Sequence, residues 1–321
     1  MSTNANREGH AYALLRDHSL VLESEGSCWP LVRRWLPLSC RPADEAAARR
    51  ATISVASRRS PTPSPRDHRS STLQVGTVHA WIDAGAECGW LQGATDSWGK
   101  IDIRDLHATV GASPHAGDEV GADVYFLLTV ASAVLLGRMG RALIHAGAVV
   151  APSGDGWLVV GDAQSGKSTT CVSLASTDCR LLSDDQVVLA PHEGTIDVEG
   201  WLRPVHLDEG WRDGVPQGSR RTVSPSELGA GGWHQLAPLA GTLHTSVVAD
   251  RPTRVVEMSA GDAFIGLIRQ SPWLLADRGA APAVVQVLSE VARLPRYALR
   301  TGLDTFGKPD RLRTLLEAVL F

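Results

Sequence analysis

The chain has 321 residues, 43% hydrophobic and 21% charged, with a formal net charge of -4. That length is enough to bury a large core, and the weakly acidic balance argues against nucleic acid as the main partner. Five cysteines (Cys28, Cys40, Cys88, Cys171, Cys179) form no CxxC pair, which speaks against a zinc site or a disulfide framework and for a reducing, cytoplasmic setting.

The N-terminus, MSTNANREGH, lacks the apolar core of a signal peptide. Residues 1–40 form an N-terminal segment of unknown role, with strand character around Ser19–Leu22. Residues 41–72 read as an Arg/Ser/Pro-rich linker. Nine arginines between Arg33 and Arg69 face only Asp44, Glu45 and Asp67, and the Ser-Pro-Thr-Pro-Ser-Pro run at 60–65 favours extended, unfolded backbone. An alternative for this piece is an electropositive arm for an acidic peptide. From residue 73 to 321 the sequence reads as one domain. Thr72–Asp83 alternates like a strand, and Asp118–Met139 carries apolar residues at helical spacing on most of its faces. The longest apolar stretch, Val124–Gly137, has 14 residues, short of the roughly 20 that span a bilayer. A buried helix and no membrane segment are expected.

The order then becomes strand His145–Ala151, turn Pro152–Gly156, strand Trp157–Val160, loop Gly161–Ser168 and helix Thr169–Ser176. Strands Arg180–Ser183 and Gln186–Leu189 flank Asp184-Asp185, and a turn at Pro191–Gly194 leads into Thr195–Val198. Later helices are expected near Gly261–Arg269, Pro282–Ala292 and Asp310–Phe321. Segment 214–233 is Gly/Ser/Pro-rich and reads as a loop. A hairpin both before the Gly161 loop and after the aspartates predicts an α/β fold with a mixed sheet. Ten tryptophans are read mainly as packing, with Trp201, Trp211, Trp233 and Trp273 as alternative peptide-groove residues.

The loop Gly161, Asp162, Ala163, Gln164, Ser165, Gly166, Lys167, Ser168 fits G-x-x-x-x-G-K-[ST] without mismatch, between an apolar strand and a helix that opens at Thr169. Backbone N–H groups at such a helix start bind phosphate oxygens. Lys167 adds positive charge for the β- and γ-phosphates of ATP, and the Ser168 hydroxyl is a ligand for Mg²⁺. Two adjacent carboxylates, Asp184 and Asp185, are costly beside each other unless a cation or proton shares them. One suits the metal and the other suits a proton taken from an attacking hydroxyl. If the strand that His145 opens pairs with Trp157–Val160, His145 lies near the loop, where it would orient Asp184 or share the proton. A satisfied core histidine is the equal alternative. Arg203 is a candidate for the transferring phosphoryl group, against a surface ion pair.

These residues together resemble the HPr kinase/phosphorylase family, in its HPr-kinase-like branch. The matching pieces are LIHAGAVV (143–150), LVVGDAQSGKSTT (158–170) and RLLSDDQVVL (180–189), with weaker likeness at Arg203-Pro204 and LSEVARLPRYALRTG (288–302). The resemblance covers residues 118–321. It implies a P-loop kinase core of the phosphoenolpyruvate carboxykinase type, and ATP- and Mg²⁺-dependent phosphorylation of a serine in a peptide or small protein. It also implies a homo-oligomer. Lys167 and Ser168 match the phosphate loop, Asp184 the general base, Asp185 its metal-site neighbour and His145 the histidine assisting the base. DVEGWLRPVHL (197–207) replaces the family's Gly-rich signature linked to phosphorylase chemistry. That departure turns the expectation toward a ribosomally made precursor peptide as substrate. A kinase of a small-molecule hydroxyl and a non-catalytic nucleotide-binding regulator are the alternatives.

Overall fold

A computed structural model describes residues 10–17, 19–33, 35–43, 50–57, 73–82, 87–112, 118–224, 227 and 232–320. It divides into two compact units, one of Met1–Gly140 with Pro272–Val284, the other of Arg141–Ser271 with Val285–Phe321.

The first unit contains β1 (His10–Ala13), β2 (Leu20–Ser24), α1 (Trp29–Val32), β3 (Arg41–Pro42), β4 (Ala51–Ala56), β5 (Leu73–Val75), β6 (Val78–Ile82), β7 (Cys88–Gln92), β8 (Trp98–Asp102), β9 (His107–Gly111) and α2 (Asp118–Arg138). Its sheet runs β3-β1-β2-β4-β9-β8-β7-β6-β5. The pairs β2–β4 and β4–β9 are parallel, and β5 to β9 form an antiparallel meander. Helix α2 lies against β4, β6, β8 and β9. Leu127, Leu128, Val130, Leu135 and Leu136 on different faces of it are all buried, which explains why its sequence has no polar face. Its buried Asp123 accepts from the Thr95 amide (2.7 Å) and hydroxyl (2.6 Å) in the β7–β8 turn. Arg138 grips Asp277 through two bonds of 2.5 and 2.7 Å, fixing the returning segment 272–284.

Three expectations change here. The boundary at 72/73 is replaced by one at Gly140/Arg141, because β1, β2 and β4 share a sheet with β5–β9 and cannot bury their apolar faces without it. Thr72–Asp83 is not one strand but the hairpin β5–β6. Gly76 turns it at φ 57°, and the apolar alternation continues across the turn. Helix α2 is longer than its apolar stretch, so Gly121–Arg138 is long and apolar enough to cross a bilayer by length and composition, although most of it is buried. Residues 44–49 and 58–72 of the linker expectation, including the Ser-Pro run, lie outside the described residues, as do 225–226 and 228–231 of the segment 214–233.

The second unit holds β10 (Ala142–Ile144), β11 (Gly147–Val150), β12 (Gly156–Val160), α3 (Lys167–Ala175), β13 (Arg180–Ser183), β14 (Val187–His192), β15 (Thr195–Gly200), β16 (Val205–Asp208), β17 (Arg220–Val223), β18 (Leu236–Val247), β19 (Arg254–Glu257), α4 (Ala260–Arg269), β20 (Arg296–Thr301), α6 (Pro309–Leu315) and α7 (Glu317–Leu320), while α5 (Ala281–Val291) crosses the unit boundary. The sheet runs β10-β14-β15-β18-β12-β11-β13, with β20 also on β18 and β19 on β20. It is mixed. β12, β18 and β20 are parallel, whereas β11 is antiparallel to both β12 and β13. The C-terminal ends of β12, β13, β18 and β20 therefore point the same way as the N-terminal end of β11.

Local chemistry explains the turns. Glu193 and Gly194 both have positive φ (47° and 81°), the geometry that matches the twist of the β14–β15 hairpin. In the β11–β12 turn Gly154 (φ 98°) closes a loop in which the Ala151 amide donates to Asp155 O at 2.8 Å. Ser259 caps α4 by accepting from the Asp262 amide at 3.1 Å. Helix α3 packs across β11, β12 and β13. Val149, Val159, Val172, Leu174, Leu181, Leu243, Leu299, Leu312 and Leu316 form the core beneath it.

Candidate active site

Strand β12 delivers the chain into the Gly161–Ser168 loop at the strand's C-terminal end. Gly161 has no room for a side chain. A Cβ there would sit 2.4 Å from Ser165 Oγ and 2.7 Å from the Thr245 carbonyl. Gln164 and Gly166 have φ of 62° and 91°, and the left-handed Gly166 is the N-cap of α3. Neighbouring β18 steadies the loop. Thr245 Oγ1 donates to Val160 O at 3.2 Å and lies 3.1 Å from Ser165 Oγ. Asp162 is held from α4, by Arg269 Nη2 at 2.7 Å and Gln270 Nε2 at 3.0 Å. Ala163 and Gln164 are exposed at the tip, and Thr169 is half-buried on the first turn of α3. The Lys167 ammonium donates to the carbonyls of Gly161 (2.8 Å) and Asp162 (3.0 Å). Burial pulls this lysine below its ordinary value, and the nearby Asp185, Asp162 and Asp184 partly oppose that.

Strand β13 ends at Ser183, whose buried hydroxyl donates to Trp201 O at 3.2 Å and lies 3.4 Å from the amides of Asp185 and Gln186. Those contacts set the bend that presents both carboxylates. Asp184 is 7% exposed. Burial, then the charge of Asp185, push its carboxyl up to about 6, against a hydrogen bond from Ser168 and the charge of Arg203. Asp185 is more open. His145 Nε2 stands 3.2 Å from its Oδ1, and Arg203 Nη2 grips its Oδ2. His145 occupies the bend before β11, with its amide donating to Gln270 O at 2.8 Å. Pairing of Gly147 with Val159 brings that bend to the loop end of β12, as the strand-pairing argument requires.

His145, Lys167, Ser168, Asp184 and Asp185 thus lie in one constellation, with Arg203 as a sixth member. The contacts cross the expected division of labour, however. The Ser168 hydroxyl, expected on the metal beside Asp185, meets Asp184, while His145, expected to assist Asp184, meets Asp185. No group of three or more His, Cys, Asp or Glu among the described residues could hold a metal by itself.

No protein-family model matches the chain, and no curated protein matches it. Among solved structures, the HPr(Ser) kinase/phosphatase from Coxiella burnetii is similar over 55% of this chain and 94% of that chain, at 14% identity and a TM-score of 0.29. The functional reading therefore rests on the site itself.

Sequence reasoning missed Ser183, Thr245, Arg269 and Gln270. The last three come from β18 and α4, far along the chain, and carry no local motif. Arg203 was legible only as a candidate. Of the four tryptophans weighed as groove residues, Trp201 and Trp273 are buried, whereas Trp233 is 46% exposed beside β13.

Proposed function

We propose that this chain is an ATP- and Mg²⁺-dependent kinase that phosphorylates a serine hydroxyl of a peptide or small protein. The observation that carries this reading is the meeting of a two-glycine phosphate loop, Lys167 and Ser168 with a paired carboxylate at the same-side ends of β12 and β13, the two strands that flank β11. Loop amides and the first turn of α3 suit phosphate oxygens. Lys167 would exchange the carbonyls of Gly161 and Asp162 for phosphate oxygens.

The residues present fit Mg²⁺. A hydroxyl and one or two carboxylates, with nucleotide phosphates and water completing the shell, is the usual donor set for this ion, so the lack of an all-protein cage is consistent with it. Ser168 and Asp184 or Asp185 would hold the metal, which would neutralise charge on the β- and γ-phosphates. Asp184 is mostly ionised at neutral pH yet keeps a strong affinity for a proton, which suits a general base. As the serine oxygen bonds to the γ-phosphorus, the bond from that phosphorus to its bridging oxygen breaks. ADP leaves, and the hydroxyl proton passes to Asp184. Arg203 and His145 hold Asp185 in place.

The Ser168–Asp184 and His145–Asp185 contacts favour a second reading, in which the aspartates exchange roles. Transfer of labelled phosphate from ATP to serine peptides, and to small-molecule alcohols, tests both. Folded Asp184→Asn should lose about 10²-fold or more in transfer. If instead Asp185→Asn takes that loss and Asp184→Asn mainly raises the Mg²⁺ requirement, the base is Asp185. Tight ATP binding without transfer to any acceptor would leave a nucleotide-binding regulator, and no ATP binding would end the proposal.

A further inference from the structure

Gln270 ends helix α4 and is 5% exposed. Its two polar ends face two parts of the site. The side-chain amide donates to Asp162 Oδ1 at 3.0 Å, inside the phosphate loop. The backbone carbonyl accepts from the His145 amide at 2.8 Å, and His145 in turn meets Asp185. A buried residue fixed at a helix end thereby links the phosphate loop to the acidic pair. The neighbouring Arg269 reaches the same carboxylate from the outside, but its side chain is 64% exposed, so solvent screens that bond. The amide of Gln270 is the better-shielded anchor.

We infer that Gln270 is a positioning residue, which holds the Asp162 side of the phosphate loop in register with the His145 bend. The inference rests on the kinase reading for its catalytic consequence, and on the Asp162–Gln270 bond alone for its structural one. Asp162 sits at the exposed rim of the loop and Gln270 behind it, so neither need touch the transferring phosphoryl group. Their effect runs through loop geometry.

The test uses the full-length protein and exchanges donor and acceptor. Gln270→Glu removes the donor and sets a carboxylate against Asp162. Gln270→Glu combined with Asp162→Asn restores one N–H···O bond with its direction reversed. Amide hydrogen exchange over residues 161–166 should quicken about tenfold or more in Gln270→Glu and return toward the wild-type rate in the double variant. ATP affinity, measured by calorimetry, and KM for ATP should follow the same pattern, with kcat moving less. Unchanged loop exchange in Gln270→Glu, or a double variant as impaired as the single, would overturn the inference. If Gln270→Glu fails to fold, Gln270→Met keeps the volume and removes only the hydrogen bond, and the same loop readout decides. Wild-type protein that binds no ATP, yet shows the exchange pattern, would retain Gln270 as the loop's anchor and remove the kinase reading alone.

Discussion

The folded Asp184 carboxyl holds its proton up to about 6, against an ordinary value of 3.8, so its ionisation opposes folding. The sign follows from linkage. Below about pH 4 the group is protonated in both folded and unfolded chains and contributes nothing adverse. As pH rises through about 6 the folded state must carry a buried charge, and about 3 kcal/mol of stability is lost. Asp184→Asn keeps the size and an acceptor for Ser168. It should therefore be more stable than wild type at pH 7.5 by about 1–3 kcal/mol, with the gain fading below pH 4, as chemical denaturation across pH would measure. A variant less stable at neutral pH would contradict the burial argument. Partly buried His244, which burial lowers to about 4, acts the other way, losing stability as pH falls from 6.5 through 4. Wild type should accordingly show a flatter acid limb than Asp184→Asn, in which the histidine is uncompensated. The loop and the Asp pair were legible in sequence because each is a short contiguous signal, whereas His145 stood even with a core histidine until the family resemblance was added. Gln270 and Thr245 were not legible, since ordinary polar residues acquire a role only when distant strands meet.

Among the elements, the presentation of the carboxylates depends on how closely β15 approaches β13. A Cβ on Gly200 would lie 2.1 Å from the Leu182 carbonyl oxygen, and backbone on both sides must move to admit it. Gly200→Ala should cost about 2–3 kcal/mol and reduce transfer activity beyond what its lowered Tm explains. Thermal unfolding and kinetics at a temperature where the variant is folded separate these effects, and an active variant of wild-type Tm would remove the constraint. Arg180–Ser183 was read correctly to the residue, because its apolar run is bounded by clear breaks. The twelve-residue β18 went unseen. Its LAPLAGTLHTSV is rich in small residues and holds Pro238, with weak strand preference of its own. Pairing with β12, β15 and β20 imposes its extended form, the kind of tertiary context that overrides local propensity. Between residues 73 and 111 one strand was expected and five are present; between β5 and β6 the two-residue turn Gly76-Thr77 leaves the apolar alternation uninterrupted.

At the scale of the whole molecule, the sequence gives no hint that segment 272–284 returns to the first unit. Within that unit Pro272–Ala276 lies against α2 and β5, and Trp273 and Ala276 are buried. A truncated chain beginning at Arg141 would strip their cover. It should lose cooperative unfolding or aggregate where the full chain does not, as scattering and circular dichroism would report, and a soluble, cooperatively folded fragment would refute this. The mixed α/β sheet followed from counting hairpins around the loop, whereas the unit boundary depends on pairings that no local pattern announces. Strand β18 pairs in parallel with both β12 and β20, and this has a bearing on biosynthesis. The phosphate loop leaves the ribosome long before the strands that buttress it, Leu236–Val247 and Arg296–Thr301. A nascent chain released only through α3 would own the signature yet lack the wall behind it. On the proposed kinase function, nucleotide capture should therefore begin only when translation has nearly reached the C-terminus.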